Sequence, residues 1–479
     1  MPLLFAATSP DLSALISLQV PTKPKRRPKP QKSSLAELPK PSTEFDAKLR
    51  EEFDRSRVLR TVAIVAILLI LGWIIAALFA PGPDYKLTAA PTAPLDSDLY
   101  IHELQAMTGA RITHSNSIDP IPNGDHFYAA ELDAIRNARS TINMEAYIFQ
   151  RGDVSRQVLQ VLTDRARAGV QVRVVVDAMG SFSTPKRYFN DLRKAGGKME
   201  FYHPLRWNTW MKSNNRTHRE VLIVDAATAF VGGAGIADHW YYDRPPKHPR
   251  WRDEMFRVRG EAVRSIEGVF LENWLEASGE LIAGEKFFPA EPEAGETTIL
   301  VMPSSPSEGG STPARVLFQT LMASAHKSIQ ITTPYFLPDK SLTRDLLTAR
   351  KRGVTVRILV PGSKSDHLMT RSSSRGSYGP LLQAGVEIYE YQPSMIHAKI
   401  MVVDDLWSIV GTTNMDNRSF GLNDEVNLAV LDPQLAATLE QQFNQDLAKS
   451  QRQTYERWKN RSLWERFAEW LGWLIEKQE

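Results

Sequence analysis

One stretch, residues 395–425, limits the possible folds more than any other part of the chain. Its opening, MIHAKIMVVD, is mostly apolar or β-branched and predicts a buried strand, and WSIV predicts a second strand that ends in GTTN. Side chains two residues apart on a strand share a face, so we expect His397 and Lys399 to point into one site. Thr412 and Asn414 would reach the same place from the end of the second strand. An imidazole, a cation and neutral donors suit a phosphate ester, and the full spacing argues against an incidental His and Lys.

A second copy of this pattern lies 179 residues earlier, in THREVLIVDAATAFVGGAGIAD. His218 and Asp225 stand at the same offset from His397 and Asp404. The first copy departs from the second at three positions: Glu220 replaces the lysine, Gly233 the hydroxyl residue and Gly235 the asparagine. It therefore keeps its histidine but loses the cation and the neutral donors.

Glu220 is the most unusual of these departures, since we expect it to share the strand face of His218. A carboxylate there would repel a phosphodiester by roughly 4 kcal/mol at a separation of 4 Å and an effective dielectric constant of 20. Three interpretations stay open. Glu220 pairs with a cation such as Arg216 or Lys212, or it is protonated or adds an acid–base function, or the first copy has decayed.

The segments around both motifs repeat in the same order. SRQVLQVLTDRARAG predicts a helix and VQVRVVVDA a strand, and ARKRGVTVRILV repeats this pair in the second half of the chain. Strands that alternate with helices predict parallel sheets with helices on their faces. We therefore predict an α/β protein with an internal duplication, with lobes at residues 117–290 and 291–450.

An apolar run, Thr61–Ala80, predicts one transmembrane helix, because it has twenty residues and no charge. The alternative is a buried core helix, which its lack of a polar face disfavours. Residues 21–60 contain 12 Lys and Arg against 6 Asp and Glu, whereas Lys86 is the one cation in residues 81–100. This bias predicts that residues 1–60 form a disordered basic tail in the cytoplasm and that the chain after the span lies outside.

Two further segments flank the predicted lobes. Residues 81–116 are proline-rich at their start and predict a linker. Residues 451–479 predict an amphipathic C-terminal helix. That helix either docks on the domain or lies at the membrane interface, for which its tryptophans are suited. Its apolar face would contain Leu463, Trp464, Phe467, Trp470, Leu471, Trp473, Leu474 and Ile475.

Composition excludes few functions. Of the 479 residues, 42% are hydrophobic and 24% charged, as is typical of a globular protein, and the net charge of +3 does not indicate a polyanion-binding protein. The chain has no cysteine, which excludes disulfides and thiol chemistry. We find no cluster of metal ligands in the sequence and predict no metal or other cofactor.

The paired motifs resemble those of the phospholipase D superfamily, and the chain is most similar to its bacterial cardiolipin synthases. TPYFLPD, LVPGSKSDH and GTTNMDNRSFGLNDEVN carry this resemblance in the second half, and GGAGIAD followed by WRDEMFRV carries it in the first. The resemblance implies a bilobal fold about a pseudo-two-fold axis, with both histidines at the junction. It also implies that two phosphatidylglycerol molecules give cardiolipin and glycerol through a phosphohistidine.

The resemblance also implies roles for single residues. His218 would be the nucleophile and His397 the acid and base, although the near identity of the two copies leaves this order open. Lys399 and Asn414, assisted by Thr412, would bind the phosphate.

The carboxylates of the pattern complete the candidate site. Asp225 and Asp404 belong to the catalytic signature, and we expect them to hold the strand and loop. Asp253 and Glu425 follow their histidines by 35 and 28 residues and match the carboxylates that orient the imidazoles. Glu220 is a further catalytic candidate.

Other functions remain open at this stage. A phospholipase D would use water in place of the acceptor alcohol, and a nuclease of the same superfamily would cleave DNA or RNA. An inactive homologue that binds lipid is a third alternative, suggested by Glu220 and Gly235. The apolar span and the tryptophan-rich tail favour a membrane and a phospholipid substrate over nucleic acid.

Overall fold

The structure is a computed structural model that describes residues 43–78, 84–204, 214–243, 249–290, 294–306, 312–366, 368–467 and 469. The chain divides into two compact units, Met1–Ile75 and Ala76–Glu479. Most of the first unit's described residues form one helix, and the second unit contains both motifs.

The N-terminal helix, α1, spans Thr43–Leu78. Within it, Asp54–Trp73 is long and apolar enough to cross a membrane, and its side chains are exposed in the structure. The candidate span therefore lies close to the predicted Thr61–Ala80. The prediction of a disordered tail up to residue 60 is wrong from Thr43 onward, because this part is rich in helix-forming Glu and Arg, with Arg55 bonded to Glu51 at 2.8 Å. Residues 1–42 and 79–83 lie outside the described residues.

The predicted linker at residues 81–116 is wrong in its second part. Helix α2, Asp98–Thr108, buries Tyr100 and Leu104, and strand β1 begins at Arg111. The indole nitrogen of Trp407 donates to the carbonyl oxygen of Leu95 at 2.8 Å. These apolar contacts make residues 95–116 part of the folded domain.

The first half of the domain contains eight strands and four helices among the described residues. Short 3₁₀ turns occur at Lys186–Phe189 and Asp238–Trp240. The strands are β1 Arg111–Pro122, β2 Thr141–Ala146, β3 Gln171–Asp177, β4 Lys198–Tyr202, β5 Arg216–Thr217, β6 Val221–Val224, β7 Thr228–Gly232 and β8 Glu254–Gly260. The helices are α3 Gly124–Asn137, α4 Asp153–Arg167, α5 Asn190–Lys194 and α6 Ala262–Ser278.

The second half contains eight more strands in the described residues. They are β9 Thr297–Ser304, β10 Ser328–Thr332, β11 Thr355–Pro361, β12 Glu387–Tyr391, β13 Ile400–Val403, β14 Trp407–Gly411, β15 Asn423–Leu431 and β16 Ser450–Gln453. The helices are α7 Pro313–Ser324, α8 Lys340–Lys351, α9 Leu368–Gly376, α10 Tyr378–Gln383, α11 Asn417–Gly421, α12 Pro433–Leu447 and α13 Tyr455–Lys459.

The strands of both halves form one continuous sheet. From the centre outward the first half runs β1-β8-β7-β6-β2-β3-β4, and the second runs β9-β15-β14-β13-β10-β11-β12-β16, with β1 and β9 antiparallel at the middle. Along this order only β2-β3-β4 and β10-β11-β12 are parallel, so the predicted parallel sheets are in fact one mixed sheet. Outside this order, the short strand β5 pairs in parallel with β15. The other strand pairs along the sheet are antiparallel. They include the two hairpins that carry the motifs, β6-β7 and β13-β14.

Helices cover both faces of this sheet. On one face α3 and α4 cover the first half and α7, α8 and α10 cover the second. On the other face α6 and α12 pack on strands of both halves, and one core cluster includes Val231, Phe270, Val410 and Leu439. The two halves therefore share a hydrophobic core and fold as one unit.

The prediction of one helix over residues 451–479 is wrong at its start. Ser450–Gln453 forms strand β16, because the open edge of β12 offers backbone hydrogen bonds to it. Helix α13 then ends at Lys459, and residues 463–467 are helical again. Leu463, Trp464 and Phe467 of the predicted apolar face are exposed, and the rest of that face lies outside the described residues.

Candidate active site

The two halves exchange short backbone segments at the site. Arg216 and Thr217 pair in parallel with Asn423 and Asp424 of β15, and the amide of His218 donates to the carbonyl of Asp424 at 2.9 Å. The matching contact joins Arg252 to Ile396, where the amide of His397 donates to the carbonyl of Arg252 at 2.7 Å. Each histidine therefore lies beside a strand of the opposite half.

Both motif histidines precede the strands in which we predicted them. Strand β6 begins at Val221 and β13 at Ile400, so His218 and His397 lie in the extended segments just before them. The prediction that residues two apart face the same site still agrees with the geometry, since the ammonium of Lys399 lies 2.8 Å from Nδ1 of His397.

His218 is oriented by Glu425. Its Nδ1 lies 3.0 Å from Oε1 and 3.1 Å from Oε2 of that carboxylate, which is fully buried. The hydroxyl of Thr412 donates to Oε2 of Glu425. Thr412, which we expected to assist phosphate binding, is therefore buried behind the carboxylate and fixes its position instead.

His397 is oriented by Asp253. Its Nδ1 lies 2.9 Å from Oδ2 of the aspartate, which also accepts from the indole nitrogen of Trp240 at 2.9 Å. Gly233 gives this aspartate room, because a Cβ at that position would lie 2.5 Å from Oδ1 of Asp253. In the second motif, the hydroxyl of Thr412 bonds to Glu425, whereas here the indole of Trp240 bonds to Asp253 and a glycine leaves the space for it.

These pairings correct one part of the sequence interpretation. We expected Asp253 and Glu425 to orient the histidines that they follow in the chain, but each contacts the histidine of the opposite half. The reason is the strand exchange described above, which places β15 beside His218 and the start of β8 beside His397.

Lys399 determines the electrostatics around His397. Its ammonium donates to the carbonyl oxygen of His397 at 2.9 Å. Burial and the positive charge of Lys399 lower the pKa of His397, and burial lowers the pKa of Lys399 itself. Burial alone would raise the pKa of Asp253, but the hydrogen bond and charge of His397, with Lys399, lower it overall. The buried group thus combines an ionised carboxylate, a cation and an imidazole that resists protonation.

Both histidines open into one cavity. Its polar lining includes Glu220, Asn414, Asp366 and Arg418. Lys399 is absent from the described lining, since its ammonium is turned toward His397. Asn414 lines the cavity as expected, and its buried Oδ1 has no hydrogen-bond partner within the described residues.

Aromatic side chains form much of the cavity wall, and sequence reasoning did not identify them. Tyr147 contacts the ring of His218 with centroids 5.1 Å apart, whereas Trp240, Trp251 and Tyr335 surround His397 at 5.6, 5.4 and 6.3 Å. They lie in the connections between strands, and no spacing in the sequence distinguishes them from core aromatics. Apolar walls reduce the access of water and suit a lipid substrate.

Comparison with known proteins agrees with this geometry. The family model described as "Cardiolipin synthase, PLD-like domain" matches residues 132–242 and 318–447. The chain is 35% identical to the major cardiolipin synthase of Bacillus subtilis over 386 residues, which cover 80% of each chain. The chain belongs to the cardiolipin synthase family. A cardiolipin synthase of Staphylococcus aureus is 33% identical and matches 76% of this chain and 74% of its own.

A solved structure supports the fold of this cardiolipin synthase family member. The phosphatidylserine synthase of Haemophilus influenzae superimposes with a TM-score of 0.60 over 79% of this chain and 96% of its own. At 15% identity this likeness establishes the phospholipase D-like α/β fold alone.

The two motif aspartates of this family member lie outside the described cavity lining. Asp404 accepts from the backbone N–H groups of His326, Lys327 and Ser328 at 2.7–2.8 Å. Asp225 accepts from the equivalent N–H groups of residues 139–141. Both have positive φ, 54° and 56°, at a tight turn after the strand. At both positions of the signature, the aspartate therefore binds backbone N–H groups of an earlier segment of the chain.

Glu220 lies on the cavity wall beside His218 in this family member. Its Oε1 accepts from the backbone N–H groups of Tyr147 and Ile148 at 3.1 and 3.2 Å. Arg216, one of the two cations that we considered as partners, lies 3.9 Å from Asp177, and the other, Lys212, lies outside the described residues.

Proposed function

We propose that this protein is a membrane-bound phosphatidyltransferase that joins two phosphatidylglycerol molecules into cardiolipin and releases glycerol. Family membership supports the activity. The observation that carries the mechanism is the pair of imidazoles on one cavity, each with Nδ1 held by a buried carboxylate of the opposite half. We therefore assign the chemistry at phosphorus to the Nε2 atoms, of which that of His397 lies 3.3 Å from the ammonium of Lys399.

The reaction proceeds in two displacements. In the first, Nε2 of one histidine attacks phosphorus, and the bond from phosphorus to the oxygen of the head-group glycerol breaks. The second histidine protonates the departing glycerol alkoxide. In the second, that histidine removes the proton from a head-group hydroxyl of another phosphatidylglycerol, whose oxygen attacks phosphorus and releases the first histidine. Each step needs one neutral and one protonated imidazole.

The electrostatics favour His397 as the nucleophile and His218 as the acid and base. The pKa of His397 is lowered by burial and by Lys399, so its imidazole is neutral near pH 7. A neutral imidazole is the form that attacks phosphorus, and an imidazole that is neutral near pH 7 has no proton to give to the departing alkoxide. This order reverses the one that the family resemblance alone implied.

We further infer that the two halves arose by duplication and face each other across a pseudo-two-fold axis. The matching strand orders and the reciprocal histidine–carboxylate pairs support this. The basic flank before the apolar helix supports a cytoplasmic N-terminus and a catalytic domain on the outer side of the membrane.

The activity is tested with the full-length protein and phosphatidylglycerol vesicles. Cardiolipin and glycerol should form in equal amounts, and His218→Ala and His397→Ala should each abolish both products. Phosphatidic acid as the main product would indicate hydrolysis, and cleavage of single-stranded DNA with untouched lipid would indicate a nuclease.

A further inference from the structure

The backbone around Glu220 holds its carboxyl group in a defined position. Two consecutive N–H groups, of Tyr147 and Ile148, donate to one oxygen, Oε1. The second oxygen, Oε2, has no hydrogen-bond partner among the described residues, although the side chain lines the cavity. One oxygen is therefore anchored, and the other is available to a ligand.

Gly235 creates the space for this carboxyl group. A Cβ there would lie 2.8 Å from Oε1 of Glu220 and 2.7 Å from the carbonyl oxygen of Ile148. The second half has Asn414 at the matching position, where its side chain reaches the cavity. The glycine and the glutamate thus fit each other, and the glutamate carboxyl occupies the space of the missing asparagine.

The anchoring N–H groups are also particular to the first half. Phe149 forms an isolated parallel β-bridge with Ile236, and Phe336 forms one with Met415. Met415 stands 179 residues after Ile236, which is the offset between the two motifs. Counting back two residues from each phenylalanine aligns Tyr147 with Pro334. Proline has no N–H, so the second half cannot offer this pair of donors to a carboxyl group. Three positions therefore differ together, which argues against a decayed copy.

Burial favours the uncharged form of the Glu220 carboxyl group. Burial raises its pKa well above the ordinary range, against the opposing effects of the hydrogen bonds and of Lys399. Burial also raises the pKa of Glu131 on α3 to about 8, and it raises the pKa values of Tyr128 and Tyr147. Among the charged neighbours that affect the pKa of Glu220, Lys399 lowers it and Glu131 raises it.

We propose that Glu220 replaces both the lysine and the asparagine of the first motif, and that its carboxyl O–H donates a hydrogen bond from Oε2 to a phosphoryl oxygen of the bound lipid. This proposal rests on the proposed function, since it assumes a phosphodiester in the cavity. The anchored Oε1 is the carbonyl oxygen, and the O–H points into the cavity. A neutral donor removes the repulsion that a carboxylate would exert on the phosphodiester.

Two measurements on the full-length protein in detergent test this proposal without relying on turnover. The first is binding of sulfate, a tetrahedral dianion whose charge is constant over this range, by calorimetry between pH 6 and pH 10. Glu220→Gln keeps the shape and a donor and should bind within about twofold of the parent at pH 6. Glu220→Ala should bind about ten- to hundredfold more weakly, because it loses one donor to a charged oxygen. Sulfate affinity should fall more with rising pH in the parent than in Glu220→Gln, because only the parent loses the proton of Glu220 over this range.

The second measurement is difference infrared spectroscopy of ¹³C-glutamate-labelled protein near pH 7. The carbonyl band of a protonated carboxyl group should be present in the parent and lost in Glu220→Gln. Glu267→Gln is the matched control, because Glu267 is another buried glutamate, bonded to Asn143, but lies outside the cavity lining. It should lose its own band and leave sulfate binding unchanged.

Several outcomes would overturn the proposal. One is that Glu220→Ala and the parent bind sulfate with equal affinity, and another is that the parent binds no sulfate at pH 6. The third is that the infrared spectrum shows no carbonyl band that is lost in Glu220→Gln. Sulfate binding that follows the predicted pattern in a protein that makes no cardiolipin would instead contradict the proposed function and leave the role of Glu220 intact.

Discussion

Nδ1 of His218 lies 3.0 Å from Oε1 of Glu425, although 207 residues separate them and they belong to opposite halves of the domain. Asp253 and His397 form the reciprocal pair at 2.9 Å. Neither half therefore contains a complete histidine–carboxylate pair, and both must fold together before either imidazole is oriented.

Removing either orienting carboxylate should disable catalysis in full-length protein that still folds. We expect Glu425→Ala and Asp253→Ala each to lower the rate of cardiolipin formation by about 10²–10⁴-fold, because the tautomer and orientation of one imidazole are lost. Asp119→Asn is a suitable control, since this aspartate forms a partly exposed ion pair with Arg257 away from the cavity. Rates within threefold of the parent would contradict the role that we assign to the cross-half pairs.

An activated substrate should separate the roles of the two histidines. With a phosphatidyl-p-nitrophenol, the leaving group needs no proton, so loss of the acid is tolerated in the first step. We therefore expect His218→Ala to release a burst of nitrophenolate and to retain labelled phosphatidyl group on the protein. His397→Ala should give neither. The opposite result would make His218 the nucleophile.

The charge of Lys399 should be detectable in the titration of His397. Burial and this charge both lower the pKa of His397, and substitution by an uncharged side chain removes the second cause. We expect Lys399→Met to raise the pKa of His397, so that the imidazole becomes protonated at higher pH than in the parent. NMR titration of ¹³C-labelled histidine measures this shift, with His397→Ala used to assign the signal. An unchanged or lower pKa would contradict the electrostatic argument.

The motif aspartates should matter for stability more than for chemistry. Asp404→Ala removes the acceptor of three backbone N–H groups and places alanine at a positive φ, so we expect a loss of about 2–4 kcal/mol in the free energy of unfolding. Asp404→Asn keeps an acceptor and tolerates this backbone, so it should cost about 1 kcal/mol. Urea unfolding measures both, and kcat per folded molecule should stay within a few-fold of the parent. A normal stability with a lost kcat would assign Asp404 to the chemistry.

The direction of membrane insertion can be tested by reporter fusion. The basic flank before the apolar helix predicts that the catalytic domain lies outside the cytoplasm. An enzyme reporter that is active only outside the cytoplasm should be active when fused at the C-terminus. Reversing the charge of the flanking Arg55, Arg57 and Arg60 should reduce that activity. Activity of a cytoplasmic reporter alone at the C-terminus would contradict the predicted topology.

Much of the site could be predicted because its chemistry is local in the sequence. The spacing from His397 to Lys399 and Asn414, and its repetition at His218, identified the two halves of the site before any coordinates. The departures at Gly233 and Gly235 were equally visible, but no pattern in the sequence explained them. Their meaning depends on the carboxyl groups of Asp253 and Glu220, which contact these glycines only in the folded domain.

The sequence by itself determined the strand–turn–strand motifs, the apolar helix and the candidate site residues, because these depend on hydrophobic periodicity and on side-chain chemistry along a short segment. Tertiary structure alone decided which carboxylate serves which histidine, which aromatic rings wall the cavity, and that residues 95–116 and 450–453 join the fold. These are contacts between segments far apart in the chain, and they depend on one shared sheet. Asp253 and Glu425 were recognisable as partners for imidazoles, but the exchange of backbone between β5 and β15, and between Arg252 and Ile396, assigned each to the histidine of the opposite half.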